Sequence, residues 1–237
     1  MQYRAVQKLS FRNIKGLIFD LDDTLYPEKD YVYSGFRHVA NFLGTKYGLD
    51  PEEAYEELLL SFNDGLRGKN FNALLDEKGI QYDENNVGEL VNFYRKHKPE
   101  IKLPESSRQM LASLRSQGFL LGLVTDGYLE AQKNKVEGLG LHDLLDAIVY
   151  TDVWGQEFWK PHKKGFVEIL RILGIDGEEC CHIGDNPAKD FKGAKECGML
   201  CIQILEWADR DYADLPKEYH PDIRCESMGS LIDMLTG

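Results

Sequence analysis

The sequence predicts an α/β fold, a doubly wound, Rossmann-like parallel sheet with an all-helical segment inserted after the first strand. Three observations predict it. Short continuous apolar runs recur along the chain, the pattern of strands covered on both faces. Segments with helical periodicity lie between them, which implies right-handed crossovers and a parallel sheet. The stretch from about residue 28 to residue 100 breaks this alternation, because it contains no strand-like run.

Lys15 to Asp20 reads as a short buried strand ending in an acid. The inserted stretch then predicts four helices. Ser34 is placed to cap a helix holding Phe36, Val39, Phe42 and Leu43. Asp50-Pro51-Glu52-Glu53 opens a second, with Pro51 in the first turn and Ala54, Tyr55, Leu58, Leu59 and Phe62 on its apolar face. Weaker patterns follow near Asn70 to Lys78 and Glu84 to Lys96. Ser106 to Gln117 carries Met110, Leu111 and Leu114 before the stop at Gly118. Leu120 to Thr125 is a second strand, ending in a hydroxyl, and Ala147 to Tyr150 a third. Lys164 to Leu173 is helical and closed by Gly174. Cys180 to Ile183 is a strand, Pro187 to Cys197 a helix capped by Asp185 or Asn186, and Met199 to Ile204 a further strand. The expected organisation is a core of residues 1–27 and 101–237 carrying a helical cap of residues 28–100.

Composition bounds the function. At 43% hydrophobic and 29% charged residues, the 237-residue chain is ordinary for a folded protein. A formal net charge of −12 makes it a poor partner for nucleic acid, which binds through Lys and Arg. No apolar run is long enough to span a membrane. Met1 to Asn13, with Arg4, Lys8 and Arg12 interspersed, lacks the apolar stretch and cleavage site of an export signal. The five cysteines, Cys180, Cys181, Cys197, Cys201 and Cys225, are an odd number and read as reduced thiols, so a cytoplasmic location is expected. A metal site at Cys180, Cys181 and His182 is the alternative, but neighbouring residues on a strand face opposite ways.

Ligands of an open parallel sheet bind at the carboxyl ends of its strands. Four segments there carry useful chemistry. Asp20-Leu21-Asp22-Asp23-Thr24 follows the first strand; one carboxylate could attack phosphorus while another moves a proton. Thr125-Asp126-Gly127 offers a hydroxyl and turn N–H groups to phosphate oxygens. Lys160-Pro161 could place an ammonium beside phosphate, although a loop lysine is expected to bury little. Gly184-Asp185-Asn186-Pro187-Ala188-Lys189-Asp190 places acids at a strand mouth, which suits an oxygen-seeking cation such as Mg²⁺.

In this order and spacing, the four segments resemble the haloacid dehalogenase superfamily. Asp20-Leu21-Asp22-Asp23-Thr24 resembles its first motif, with Asp20 as nucleophile and Asp22 as acid/base. Thr125 is similar to its phosphate-binding hydroxyl, Lys160 to its third-motif lysine, and Asp185 and Asp190 to its metal acids. The resemblance implies Mg²⁺ held by the Asp20 carboxylate, the Asp22 backbone carbonyl and Asp185, with Asp190 close by, and a helical cap of the first subfamily. Where many relatives carry Asn this chain has Asp126, whose side chain is expected to turn away so that the Asp126 and Gly127 N–H groups face phosphate. The implied activity is a phosphomonoesterase forming an aspartyl-phosphate intermediate. Sugar phosphates and nucleoside monophosphates lead as substrates, and the protein is expected to be a monomer or homodimer.

Asp22 favours phosphate chemistry over dehalogenation, since the dehalogenases lack this second acid. A phosphomutase keeps both acids and stays open. A receiver-type signalling module, a non-enzymatic phospho-acceptor, has its acidic pair before the phospho-acceptor rather than a helical insertion after it.

Overall fold

The structure, a computed structural model, describes residue 11 and residues 13–236. Apart from Phe11 and Asn13, the N-terminal stretch read above for an export signal lies outside the described residues. The predicted parallel sheet is observed. Its strands are β1 (Gly16–Phe19), β2 (Leu120–Thr125), β3 (Ala147–Tyr150), β4 (Cys180–Gly184), β5 (Leu200–Ile204) and β6 (Ile223–Cys225). They are ordered β3-β2-β1-β4-β5-β6 and every pairing is parallel. Among the described residues the α-helices are α1 (Glu28–Tyr47), α2 (Pro51–Asn63), α3 (Asn70–Glu77), α4 (Glu84–Lys96), α5 (Glu105–Ser116), α6 (Leu129–Gly138), α7 (Lys164–Leu173), α8 (Pro187–Glu196) and α9 (Met228–Thr236).

The strand order decides where chemistry can be assembled. β1 lies between β2 and β4, with Phe19 in register with both Leu123 and Ile183. The residues that follow these three strands therefore emerge side by side. β1 and β4 are buried at every position, as continuous apolar runs require. Ile18, Val124, Val149, Phe166, Ile169 and Phe191 belong to the core packed around the sheet. Each such large side chain contributes about 1.5–3 kcal/mol by leaving water.

The chain divides into two compact units. One holds the sheet and comprises the chain up to Pro27, Lys102–Gln132 and Leu139 onward. The other comprises Glu28–Ile101 and Lys133–Gly138. The second unit has its own core, in which Phe36, Val39, Leu43, Leu58, Leu75 and Leu90 are buried. Asp50 caps α2 by accepting from the Glu52 and Glu53 amides, a cap that contributes about 1 kcal/mol.

Several elements differ from the sequence expectation. Ser34 lies inside α1 rather than capping it. Its hydroxyl accepts from the Glu100 amide at 2.8 Å and lies 3.1 Å from His97 Nε2. Asn186, not Asp185, caps α8 through the Ala188 amide. Helix α6 carries little apolar periodicity because polar Gln132 and Lys135 are buried on it beside Ala131 and Val136. β6 is three residues long with Arg224 exposed at its centre, too short for an alternation to register. Among the described residues, no helix is long and apolar enough to cross a membrane.

Candidate active site

The site begins where β1 stops. The Asp20 amide still donates to the Ile183 carbonyl at 2.9 Å, so Asp20 is held at the sheet's edge as the ladder ends. The chain then turns tightly: the Leu25 amide donates to the Leu21 carbonyl at 3.0 Å, and Asp23 adopts a left-handed φ of 54°. Leu21 and Leu25 are fully buried and anchor this turn. The geometry leaves Asp20 nearly buried and Asp22 partly open. Tyr26 OH donates to Asp22 Oδ1 at 2.6 Å.

At the end of β2, the Thr125 hydroxyl donates to Gln132 Oε1 at 3.0 Å. Gly127 has φ of 115°, and a Cβ there would lie 2.6 Å from Gln132 Nε2. Glycine thus serves both the turn and the close approach of Gln132. Asp126 is directed at the loop carrying Lys160. Its Oδ1 accepts from the Thr151 hydroxyl at 2.6 Å, and its two oxygens accept from the Lys160 amide at 3.1 and 3.0 Å.

Lys160 departs from the expectation of a lightly buried loop lysine. Its side chain is only 2% exposed, and Nζ donates to Asp20 Oδ1 and, at 2.7 Å, to Asp190 Oδ1. The peptide bond to Pro161 is cis. Two carboxylates from different elements compensate the buried ammonium, as a charge out of water requires.

Asp185 and Asp190 follow β4. Asp190 Oδ2 accepts from the Asn186 amide at 2.8 Å, fixing the start of α8. Gly184 leaves room for that carboxylate: a Cβ there would collide with Asp190. Asp185 Oδ2 accepts from Arg210 Nε at 2.5 Å, and Arg210 Nη2 donates to Asp23 Oδ2 at 3.0 Å. Buried Gln203 on β5 ties this corner together by donating to the Asp185 and Arg210 carbonyls at 3.2 and 2.8 Å.

The electrostatics follow from crowding acids in a dry place. Burial pushes Asp20 well above the usual carboxylate range, opposed by Lys160 and reinforced by Asp190 and Asp185. Burial together with Asp190 pushes Asp185 up to about 6, while Arg210 opposes. Burial also acts upward on Asp190, but Lys160 and His182 outweigh it and hold that carboxyl below the usual range. Lys160 stays charged: burial favours its neutral form, yet Asp190, Asp20 and Asp126 drive it well above the ordinary lysine value. His182, buried and donating from Nδ1 to the Ile18 carbonyl at 3.0 Å, is held below the usual imidazole range chiefly by burial. Cys180 and Cys181 are free thiols pushed upward by burial, with Cys180 at about 12, which suits packing rather than ligation.

Of the residues singled out in the sequence, Asp20, Lys160 and Asp190 are in direct contact. Asp185 acts on Asp20 and Asp190 through charge. Asp22 and Thr125 are bridged by Gln132, whose Nε2 donates to Asp22 Oδ2 at 3.3 Å. Asp126 reaches Lys160 through the backbone amide. Tyr26, Gln132 and Arg210 are additions that the sequence reading lacks. Tyr26 stands two residues past the first acidic segment and Gln132 seven residues past Thr125, so proximity was the available signal. Arg210 lies in the loop after β5, where nothing in the sequence marks it.

The donor set fits Mg²⁺. Among the described residues no three His, Cys, Asp or Glu side chains form a ready-made metal cage. Mg²⁺ needs none, because it is bound through one or two carboxylates, water and substrate phosphate. Asp20, Asp23, Asp185 and Asp190 outnumber the cations Lys160 and Arg210 that contact them, and this surplus of negative charge in a buried site suits a divalent cation.

Comparison with known proteins identifies the family. The family model described as haloacid dehalogenase-like hydrolase matches residues 17–204. A glyceraldehyde 3-phosphate phosphatase of Methanocaldococcus jannaschii is 30% identical over 226 residues, covering 94% of this chain and 97% of that protein. The pyrophosphatase PpaX of Bacillus cereus is 27% identical over 228 residues, covering 94% and 97%. The solved structure of a HAD phosphatase from Thermococcus onnurineus superposes with a TM-score of 0.60 at 26% identity, covering 94% of this chain and 99% of that one. With the first acidic segment, Thr125, Lys160 and the Asp185–Asp190 segment all inside the matched span, the chain belongs to the haloacid dehalogenase-like hydrolase family.

Proposed function

We propose that this protein is a Mg²⁺-dependent phosphomonoesterase acting on a small phosphorylated metabolite through an aspartyl phosphate on Asp20. The observation that carries the reading is the buried Lys160 ammonium shared between Asp20 and Asp190 where β1 ends. An ammonium fixed against a carboxylate can offset the charge of an arriving phosphate. Asp22, two residues on and bonded to Tyr26 and Gln132, supplies a second carboxyl without the burial that constrains Asp20. The phosphatase names of the relatives support the same reading.

In this mechanism an Asp20 carboxylate oxygen attacks phosphorus and the bond to the leaving oxygen breaks. Asp22 gives its proton to that oxygen. Asp22 then takes a proton from water, whose oxygen attacks the phosphorus of the aspartyl phosphate and returns Asp20 as a carboxylate with release of inorganic phosphate. The Asp126 and Gly127 N–H groups hold the phosphate oxygens, and the Thr125 hydroxyl, whose one proton goes to Gln132 Oε1, orients Gln132 beside them. Lys160 neutralises charge on both phosphate and Asp20, and Asp190 keeps Lys160 in place. The Asp20 carboxylate, the Asp22 carbonyl and Asp185 would hold Mg²⁺, which when bound supplies charge neutralisation at the transferring phosphoryl group.

Sugar phosphates, including triose phosphates, and nucleoside monophosphates lead as substrates. Chelation should abolish hydrolysis of p-nitrophenyl phosphate and added Mg²⁺ should restore it; a panel of phosphorylated metabolites then ranks the substrates by kcat/KM. Full activity in excess chelator sinks the proposal.

A further inference from the structure

A buried polar bridge lies beside the first acidic segment. Gln132 is 4% exposed and Tyr26 fully buried, yet each sends its polar end to the same carboxylate. Tyr26 OH donates to Asp22 Oδ1 at 2.6 Å and Gln132 Nε2 donates to Asp22 Oδ2 at 3.3 Å, so both oxygens are held. Gln132 is itself fixed. The Thr125 hydroxyl donates to its Oε1 at 3.0 Å, and bare Gly127 lets the amide pass where a Cβ would clash. Backbone pairing between Asp22 and Tyr26 fixes the other side.

We propose that Gln132 and Tyr26 are positioning residues that clamp the Asp22 side chain in the orientation needed for proton transfer to the leaving group. This rests on the reading of Asp22 as the acid/base. A carboxyl two residues beyond the nucleophile, on a turn and partly open to water, has other rotamers available. Two donors, one on each oxygen, select one of them. The bland account is that Asp22 merely satisfies two buried polar groups. The two accounts differ in what they predict for leaving groups. A poor leaving group depends on a well-aimed acid, whereas p-nitrophenolate needs little protonation. Mere loss of packing or of substrate binding would affect both kinds of ester alike.

The experiment measures kcat/KM for glycerol phosphate and for p-nitrophenyl phosphate in Tyr26→Phe, Gln132→Ala and Gln132→Glu, with Asp22→Asn as control. kcat/KM reports the steps through leaving-group departure, so hydrolysis of the acyl phosphate does not enter. Tyr26→Phe keeps the buried ring, and Gln132→Glu keeps the shape while replacing the donor with an acceptor. The alkyl-to-aryl ratio should fall at least tenfold in Asp22→Asn, and at least fivefold in Tyr26→Phe and in Gln132→Glu. Gln132→Ala should match Gln132→Glu. A ratio unchanged in Tyr26→Phe and Gln132→Glu, while Asp22→Asn lowers it, overturns the clamp and leaves the phosphatase reading standing. An unchanged ratio in Asp22→Asn overturns the acid assignment and the clamp with it.

Discussion

Lys160 Nζ and Asp190 Oδ1 lie 2.7 Å apart in a place where both side chains are at least 98% buried. The same ammonium donates to Asp20, so one lysine from the loop before α7 connects the end of β1 to the start of α8. A charge so placed stabilises only while its partners remain, because each would otherwise stand unpaired out of water.

Lys160→Ala should therefore do two things. Turnover of p-nitrophenyl phosphate should fall at least about a hundredfold, the scale for losing one preorganised stabilising group. Stability should fall by about 3–5 kcal/mol, since Asp20 and Asp190 lose their shared cation. Urea denaturation beside steady-state kinetics checks both, and a variant with wild-type stability would return Lys160 to the solvated-loop picture.

Asp20→Asn removes the attacking oxygen and should reduce turnover to near background. Asp22→Asn should still attack an activated aryl phosphate and then accumulate phosphoryl-enzyme, because nothing activates water. Acid quenching with ³²P-labelled substrate measures the trapped species. Wild-type turnover in Asp20→Asn would show that the nucleophile lies elsewhere.

Asp126 holds the Lys160 amide and the Thr151 hydroxyl. Asp126→Ala leaves those donors without their acceptor and should cost about 1–3 kcal/mol. Loosening the segment that aims Lys160 should also lower kcat, by up to about a hundredfold if the ammonium shifts by an ångström. Thermal melts and kinetics of Asp126→Ala against Asp126→Asn separate the effects, since Asn retains an acceptor oxygen. Wild-type kcat in both variants would deny the segment its aiming role.

The buried His97 makes the stability of its unit depend on pH. Its Nδ1 donates to the Tyr94 carbonyl at 2.5 Å, and Nε2 lies 3.1 Å from the Ser34 hydroxyl, which suits a neutral ring. Burial, with His38 and Lys135 nearby, holds its pKa below the ordinary value, although the Tyr94 carbonyl opposes. The folded pKa is thus lower than the unfolded one, so below pH ~6.5 the unfolded chain takes up the proton first. This contribution should be constant above that pH and fall by up to about 1.4 kcal/mol per unit as pH drops towards the folded value. Urea melts between pH 5 and 8 on the wild type and His97→Asn measure it; an identical pH slope in the two proteins would remove His97 as the source.

Much was legible in the sequence because backbone physics is local. The apolar run Leu17-Ile18-Phe19 before Asp20, and Leu121 to Val124 before Thr125, carry their own burial signal, and Pro51 and Gly174 mark helix ends by fixed or permitted φ. Asp20 and Thr125 stood out as an acid and a hydroxyl directly after apolar strands, whereas Lys160 was legible only through its order and spacing with the other segments. Helix α6 was not legible, since its buried positions include Gln132 and Lys135, whose polar ends find partners only in the folded chain.

What the sequence by itself determined is the family and the strand-helix alternation, since residue type and spacing are written along the chain. What only the tertiary structure decided is who holds whom. The burial of Lys160 between Asp20 and Asp190, the pairing of Arg210 with Asp185 and Asp23, and the grip of Tyr26 and Gln132 on Asp22 depend on the strand order that sets β1 between β2 and β4. Such partners are up to 187 residues apart in the chain. Their attraction has no local signature because the charges meet only once the sheet has expelled water from between them.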